Sequence, residues 1–301
     1  MNSKSKQFSG LQVGVIGLPD RWQEYQAVMQ GFPDRIRISA VFDPRASVAK
    51  EAASQLGVPS VGGVLPLVAR EDVSCLMIHD AGWLGSKLMP LIAESKKPVF
   101  FTSSAIGIEQ LQMLDPIVQS SRSIWVPSME HRFTPATTRM MELIATQLGS
   151  PRRIDILLPA DAEAWSQQHV ADLIDWSFFM MRSAKDVRSV RIEQAGCRVR
   201  VDMQDGGTLD LFLRTVRESE SPCRTIRCSR GEAMLLSDSE IEWKLTGHKP
   251  SCETLSSEQS GLAMQLIVFL RRAAGGLIPT AAIADLQRSQ MAAEQILRAR
   301  F

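Results

Sequence analysis

Residues 13–22 have the sequence VGVIGLPDRW, and this stretch decides the fold class. Its apolar start predicts a buried β-strand, and the residues from Pro19 onward predict a helix with proline in its first turn. A strand, a glycine turn and a helix in this order are typical of the phosphate-binding loop Gly-x-Gly-x-x-Gly. Gly17 takes the first glycine position, but Pro19 stands at the second and Trp22 at the third.

The composition narrows the class of protein. The chain has 301 residues, 45% hydrophobic residues and a net charge of +1, which suits two domains and gives no electrostatic case for nucleic acid or an acidic membrane. Residues 1–10 are too polar for a signal peptide, and no apolar run is long enough to span a bilayer. The five cysteines are scattered, as free thiols in a reducing compartment would be. We therefore expect a cytoplasmic protein that binds neither nucleic acid nor membrane.

The pattern of elements divides the chain into two parts. Apolar strands alternate with helices as far as residue 127, which predicts a doubly wound parallel sheet with helices on both faces. After residue 149, strands of alternating polar and apolar residues predict a mostly antiparallel sheet with one open face. We therefore predict an α/β protein with a Rossmann-type domain at residues 1–130 and an α+β domain at residues 131–301. Two closing helices are expected to pack on the second sheet or back on the first domain.

A series of short sequence landmarks runs along the chain. They are VGVIG at residues 13–17, AVFD at 40–43, KKPV at 96–99, RFTP at 132–135, DGG at 205–207, RGE at 230–232 and FLR at 269–271, followed by Gly276 and Pro279. Their order over residues 12–299 resembles the glucose–fructose oxidoreductase and inositol dehydrogenase family. The resemblance implies an NAD(P)-dependent oxidoreductase fold, NAD or NADP as cofactor and a small sugar-like or polyol ligand.

The resemblance also implies a homo-oligomer. In this family the open face of the second sheet commonly builds the contact between subunits, and a symmetric pair is the simplest such assembly. Val199, Val201 and Leu211, or the residues that alternate with them, would supply the contact. We therefore expect a dimer.

The glycine turn is the first part of the expected cofactor site. Gly17 permits the tight turn, and the backbone of Leu18 and Pro19 would lie beside the pyrophosphate. Pro19 offers a ring and no N–H group there, although the helix N-terminus still favours an anion. The alternative is a strand, turn and helix without any ligand.

Other cofactor candidates follow the next strands. Asp43 ends the second strand, where an acidic residue usually accepts hydrogen bonds from ribose hydroxyls, although Asp-Pro-Arg also suits a plain turn. Arg45 would favour a 2′-phosphate. His79 and Asp80 follow the third strand at the end where such sheets bind ligands, but a lone histidine is more often structural. Thr102 follows the fourth strand at the same end.

The catalytic lysine that the family places after the fourth strand has no counterpart. Thr102, Ser103 and Ser104 stand at those positions. The similar string Lys96-Lys97-Pro98 precedes the strand, which puts it at the opposite end of the sheet. A hydroxyl group does not replace an ammonium group that supports proton transfer.

The second catalytic signature, Asp-x-x-x-His-x-x-Asp, has two registers in residues 169–175. In one, His169 and Asp172 form the His-x-x-Asp pair. In the other, which the spacing to the next strand favours, Asp172 replaces the histidine and Asp175 is the aspartate. Either pair lies on one helix face, and the alternative is an ordinary solvated face. By the resemblance Arg132 lies beside the substrate, where it binds an anionic ligand or forms a structural salt bridge.

Three functions stay open at this point. The one we favour is a degenerate family member with weakened or lost redox activity that binds a ligand or partner. The second is an active NAD(P)-dependent oxidoreductase on a sugar-like substrate. The third is a cofactor-independent acid/base enzyme that uses His169, Asp172 and Asp175.

Overall fold

The computed structural model describes residues 10–19, 21–79, 85–102, 106–159, 165–181, 187–193, 198–203, 208–215, 222–256 and 260–300. The chain forms two compact units. The first contains the described residues of Met1–Ser128 and Gln265–Ala284, and the second those of Met129–Met264 and Asp285–Phe301. The segment Gln265–Ala284 therefore belongs with the N-terminal part of the chain.

The first unit is a parallel sheet with helices. Its strands are β1 (Leu11–Ile16), β2 (Ile36–Phe42), β3 (Cys75–Ile78), β4 (Val99–Phe101) and β5 (Trp125–Pro127), in the order β2-β1-β3-β4-β5. Its helices are α1 (Trp22–Gln30), α2 (Ala46–Leu56), α3 (Val64–Val68), α4 (Gly85–Glu94) and α5 (Ile108–Ser121). Every strand pairing is parallel, and β3 is buried along its whole length. The predicted doubly wound parallel sheet is confirmed.

The second unit is built on a mixed sheet in the order β13-β12-β11-β10-β6-β9-β8-β7. The strands are β6 (Pro151–Leu158), β7 (Val187–Glu193), β8 (Arg198–Met203), β9 (Thr208–Thr215), β10 (Cys223–Cys228), β11 (Gly231–Leu235), β12 (Glu240–Leu245) and β13 (Ser251–Thr254). The helices after β5 are α6 (Pro135–Leu143), α7 (Gln167–Met180), α8 (Gly261–Ala273) and α9 (Ile283–Arg300). Among the described strands of this sheet, β6 and β9 are the only pair that runs parallel, so the mostly antiparallel prediction is confirmed.

The second sheet has one apolar and one polar face. Ile154 and Ile156 of β6 are buried in a core shared with α6, α7 and α9. The alternate residues Arg153 and Asp155 pair with each other on the opposite face, as the period of a strand requires. The core of the unit therefore lies between the sheet and these helices.

Two details differ from the sequence predictions. The first helix begins at Trp22 instead of Pro19, because the Trp22 N–H group donates to the Pro19 carbonyl in a preceding turn (2.9 Å). Strands β12 and β13 were not predicted: β13 is mostly exposed, whereas β12 alternates charged and apolar residues, a strand pattern that was overlooked. The predicted hairpin turn at residues 205–207 lies outside the described residues, and the strands on either side of it pair antiparallel.

Within the described ranges, no helix combines the length and the apolar character that crossing a membrane requires.

Candidate functional site

The turn between β1 and α1 keeps one feature of a phosphate loop. Gly17 has a φ angle of +77°, a backbone conformation that glycine adopts without steric cost. Its N–H group donates to the Phe42 carbonyl (2.8 Å), which ties the turn to the end of β2. Leu18 and Trp22 are both buried at this turn. The tight turn is therefore present, but apolar side chains surround it.

The Asp43 carboxylate is occupied by groups of the chain itself. Its Oδ2 accepts from the Leu18 N–H group (2.9 Å) and from Arg45 Nη2 (3.2 Å). Its Oδ1 accepts from the Arg45 N–H group (2.8 Å) and from Arg45 Nε (3.0 Å). Two oxygens of a carboxylate offer about four acceptor positions, so these bonds use its capacity. Arg45 Nη2 also donates to the Leu18 carbonyl (2.9 Å), which closes the turn over Asp43.

These contacts keep Asp43 charged. Burial opposes the charge, but the hydrogen bonds from Arg45 and the Leu18 N–H group outweigh it, so the pKa of Asp43 lies below its usual value. The charge therefore stabilises the turn itself.

The residues at this turn do not fit a nicotinamide dinucleotide well. Asp43 has no acceptor position left for a ribose hydroxyl, and the Leu18 N–H group already has its acceptor. Pro19 has no N–H group, and Trp22 fills the place of the glycine that lets helix and strand approach. Two features of the turn still favour dinucleotide binding: the left-handed conformation of Gly17 and the positive charge of Arg45.

His79 lies at the carboxyl end of β3 inside an aromatic cluster, which we define as Trp22, Tyr25 and His79. The His79 ring centroid is 4.2 Å from that of Tyr25 and 5.7 Å from that of Trp22. The imidazole is 3% exposed, and this burial lowers the pKa of His79 to about 3. The ring is therefore neutral at neutral pH. Asp80 lies outside the described residues.

Thr102 occupies the position after β4 where the family resemblance places the catalytic lysine. Its hydroxyl donates to the His79 carbonyl, so it links the ends of β3 and β4. Ser103 and Ser104 lie outside the described residues. Lys97 lies before β4, and its Nζ donates to the Arg70 carbonyl (2.6 Å); burial lowers its pKa. The structure thus places the lysine of the Lys-Lys-Pro string at the amino end of the strand.

In the second unit, α7 carries the residues of the second signature. The Ser166 side chain caps the helix by accepting from the His169 N–H group (3.3 Å), and the His169 ring centroid is 6.4 Å from that of His131. Asp172 accepts from Gln168 Nε2 (2.8 Å) and is half-buried. The structure therefore keeps His169 and Asp172 at the start of the helix.

Asp175, one turn further on, is buried in an ion pair with Arg132. Arg132 Nε donates to Asp175 Oδ2 (2.7 Å), and Nη2 donates to Asp175 Oδ1. Asp285 Oδ2 lies 3.5 Å from the same guanidinium group, and the Phe179 ring centroid lies 5.1 Å from Arg132 Cζ. Burial opposes the charge of Arg132, but the bonds to Asp175 outweigh it and raise the pKa of Arg132. This network joins the turn at Glu130–Phe133 to α7 and α9.

The sequence predictions did not include three residues that the structure places at or near these sites. One is Tyr25, which follows Trp22 at helical spacing, so their common face could have been anticipated. Asp285 lies in the first turn of α9 and is distant in sequence from its partner. Arg224 lies over the Trp176 ring at 5.1 Å and pairs with Asp238, and only the pairing of the strands brings it near α7.

The first unit thus has a five-stranded parallel sheet and the second an eight-stranded mixed sheet. Two solved structures share this fold. UDP-N-acetylglucosamine 3-dehydrogenase GnnA from Acidithiobacillus ferrooxidans is 18% identical, with a TM-score of 0.75 over 96% of this chain and 97% of that chain. The 3-ketoreductase KijD10 from Actinomadura kijaniata, solved with NADP and TDP-benzene, is 14% identical, with a TM-score of 0.73 over 93% of this chain and 95% of that chain.

The family resemblance inferred from the sequence is therefore confirmed as a likeness of fold. No protein-family model matches the chain, and no curated protein matches it.

Proposed function

We propose that this chain is a degenerate member of the sugar oxidoreductase group, which binds a small sugar-like ligand and has weakened or lost redox activity. The observation that carries the proposal is the Asp43 carboxylate, whose acceptor positions are taken by Leu18 and Arg45. A dinucleotide would have to break these bonds before its ribose could bind. That requirement weakens binding whatever other contacts the ligand makes.

The missing lysine supports the same proposal for the chemical step. Hydride transfer to or from a sugar needs a proton donor or acceptor beside the reacting carbon. Thr102 stands in the place of the lysine and donates its hydroxyl proton to the His79 carbonyl. A bound nicotinamide would supply the hydride, while Thr102 would supply no ammonium group.

An active NAD(P)-dependent oxidoreductase is the second candidate, and the geometry of Gly17 and Arg45 favours it. Gly17 keeps the left-handed turn, and the Arg45 side chain is 58% exposed. An arginine at this place accommodates a 2′-phosphate, so this candidate predicts NADP in preference to NAD. For the third candidate, a cofactor-independent enzyme, His169 and Asp172 are the acid/base groups, because Asp175 is paired with Arg132.

The test is a fluorescence titration of the full chain with NADPH and NADH, with KijD10 as the positive control. The proposal predicts dissociation constants of about 1 mM or weaker for both. A parallel titration with UDP-N-acetylglucosamine, the sugar nucleotide in the name of GnnA, tests the sugar-like ligand. Micromolar binding of NADPH together with turnover would establish the second candidate instead.

We also propose a cytoplasmic dimer whose contact is the polar face of the second sheet. Ion pairs lie on this face: Asp155 pairs with Arg153 and Arg227, and Arg227 pairs with Glu232. A contact on this face would be polar and sensitive to salt. A monomeric sedimentation profile at tens of micromolar protein, in low salt, would contradict it (an affinity of about −6 to −7 kcal/mol would already give dimer).

A further inference from the structure

The aromatic cluster holds polar atoms that have no partner. Within the described residues, Trp22 Nε1 and both ring nitrogens of His79 are buried and accept or donate no hydrogen bond. Buried polar groups are almost always paired, and leaving one unpaired is unfavourable. Three such atoms on two touching side chains are therefore a local defect in the described part of the first unit.

The defect lies where this fold class binds ligands. His79 follows β3, and Trp22 begins α1 directly after the turn that follows β1. In the sheet order β2-β1-β3-β4-β5, β1 and β3 are neighbours, and ligands bind at the carboxyl ends of the strands where the order reverses. The unpaired nitrogens are therefore at the ligand-binding end of the sheet.

Trp22 is one of the buried side chains that close this place. It stands at the third glycine position of the loop motif, is 8% exposed, and packs its indole edge-on against the His79 ring. Glycine there would leave that volume empty, and His79 would then face it with one N–H donor and one acceptor nitrogen. A flat ligand ring with polar edge atoms would restore both the packing and the hydrogen bonds.

We propose that Trp22 is the residue that decides what this site admits, and that replacing it with glycine admits a nicotinamide dinucleotide that pairs with His79. This inference rests on the proposed function, in which the unmodified turn binds such dinucleotides poorly. It adds a block by the Trp22 side chain to the one at Asp43, and it makes Pro19 secondary.

The experiment compares NADPH binding to the unmodified chain and to four variants, each checked by circular dichroism. Trp22→Gly should bind NADPH at least tenfold more tightly than the unmodified chain, whereas Pro19→Gly should change the affinity less than threefold. Trp22→Phe is the matched control, because it keeps a ring in place and should remain blocked. Adding His79→Phe to Trp22→Gly should remove most of the gain. If Trp22→Gly does not fold, Trp22→Ala, which favours a helix, takes its place.

The outcomes distinguish a failure of the proposed function from a failure of the inference about Trp22. Micromolar binding by the unmodified chain contradicts the proposed function, and the inference then still requires a further tenfold gain in Trp22→Gly. Weak binding by both the unmodified chain and a folded Trp22→Gly, or an equal gain in Trp22→Phe, overturns the inference and leaves the proposed function standing. A gain that survives His79→Phe overturns the role given to His79.

Discussion

Each unit contains an arginine side chain that donates hydrogen bonds to an aspartate from two nitrogen atoms, but the surroundings of the two pairs differ. In the first unit the Arg45 side chain is 58% exposed and Asp43 is buried. In the second unit Arg132 and Asp175 are both buried. The first pair closes a turn at the edge of a sheet, whereas the second joins a short helical turn to α7 and α9.

The comparison shows how one chemical pair serves two purposes. An exposed guanidinium group loses little hydration when it pairs, so the Arg45 side chain can be exchanged for another cation or for water at small cost. In a buried pair both charges have lost their hydration, which is unfavourable. Removing one partner then leaves the other charge buried and uncompensated. The pair in the second unit is therefore expected to matter for folding, and the pair in the first unit for what the turn binds.

The largest predicted effect is in the second unit. Asp175→Asn leaves Arg132 buried without its main counter-charge, so we expect the free energy of unfolding to fall by about 3–5 kcal/mol. Urea denaturation followed by circular dichroism measures the change. The double variant Arg132→Met with Asp175→Leu is the control, and it should lose less stability than Asp175→Asn. An equal or greater loss in the double variant would mean that packing, and not charge, dominates at this place.

A smaller effect is predicted for the turn of the first unit. Asp43→Asn removes the charge that four donors share, and we expect a loss of about 2–3 kcal/mol. Arg45→Ala should cost only about 1 kcal/mol, because the pair is partly exposed and the backbone donors to Asp43 remain. If the two variants lose the same stability in the urea experiment, the Arg45 side chain is the main partner and the backbone bonds are minor.

The third effect concerns pH. The pKa of His79 is about 3 in the folded chain and about 6.5 in an unfolded chain. Below pH 6.5 the unfolded state binds a proton that the folded state excludes, so stability is full above this pH and falls by up to about 1.4 kcal/mol per pH unit on the way down. His79→Phe should remove this slope between pH 7 and 5. His248→Gln, at an exposed position, should keep it, and equal slopes in both variants would place the titrating group elsewhere.

Much of the fold could be predicted because its signals are local. The apolar runs of β1 to β5 and the helices between them specify a parallel sheet, since strands buried on both faces need no other pattern. Strands β12 and β13 carry no such run: β12 is placed by its pairing with β11, and β13 by its pairing with β12. The alternation of charged and apolar residues in β12 is a strand signal that was overlooked, whereas the sequence of β13 carries none.

The candidate site could be predicted by position but not by contact. The exchange of glycines for Pro19 and Trp22 is visible in the sequence, and so is the acidic residue after β2. That Asp43 is bound to Leu18 and Arg45 depends on backbone geometry at two turns, which no spacing rule gives. Likewise, Arg132 and Asp175 are 43 residues apart in sequence, so only the fold brings them together.

The most direct test of the central claim is a crystal structure of the chain soaked in millimolar NADPH. Our account predicts no dinucleotide at the turn, with the Leu18 N–H group still donating to Asp43 Oδ2 at about 2.9 Å. A phosphate of NADPH that accepts from the Leu18 N–H group, together with a ribose hydroxyl bonded to Asp43, would contradict it.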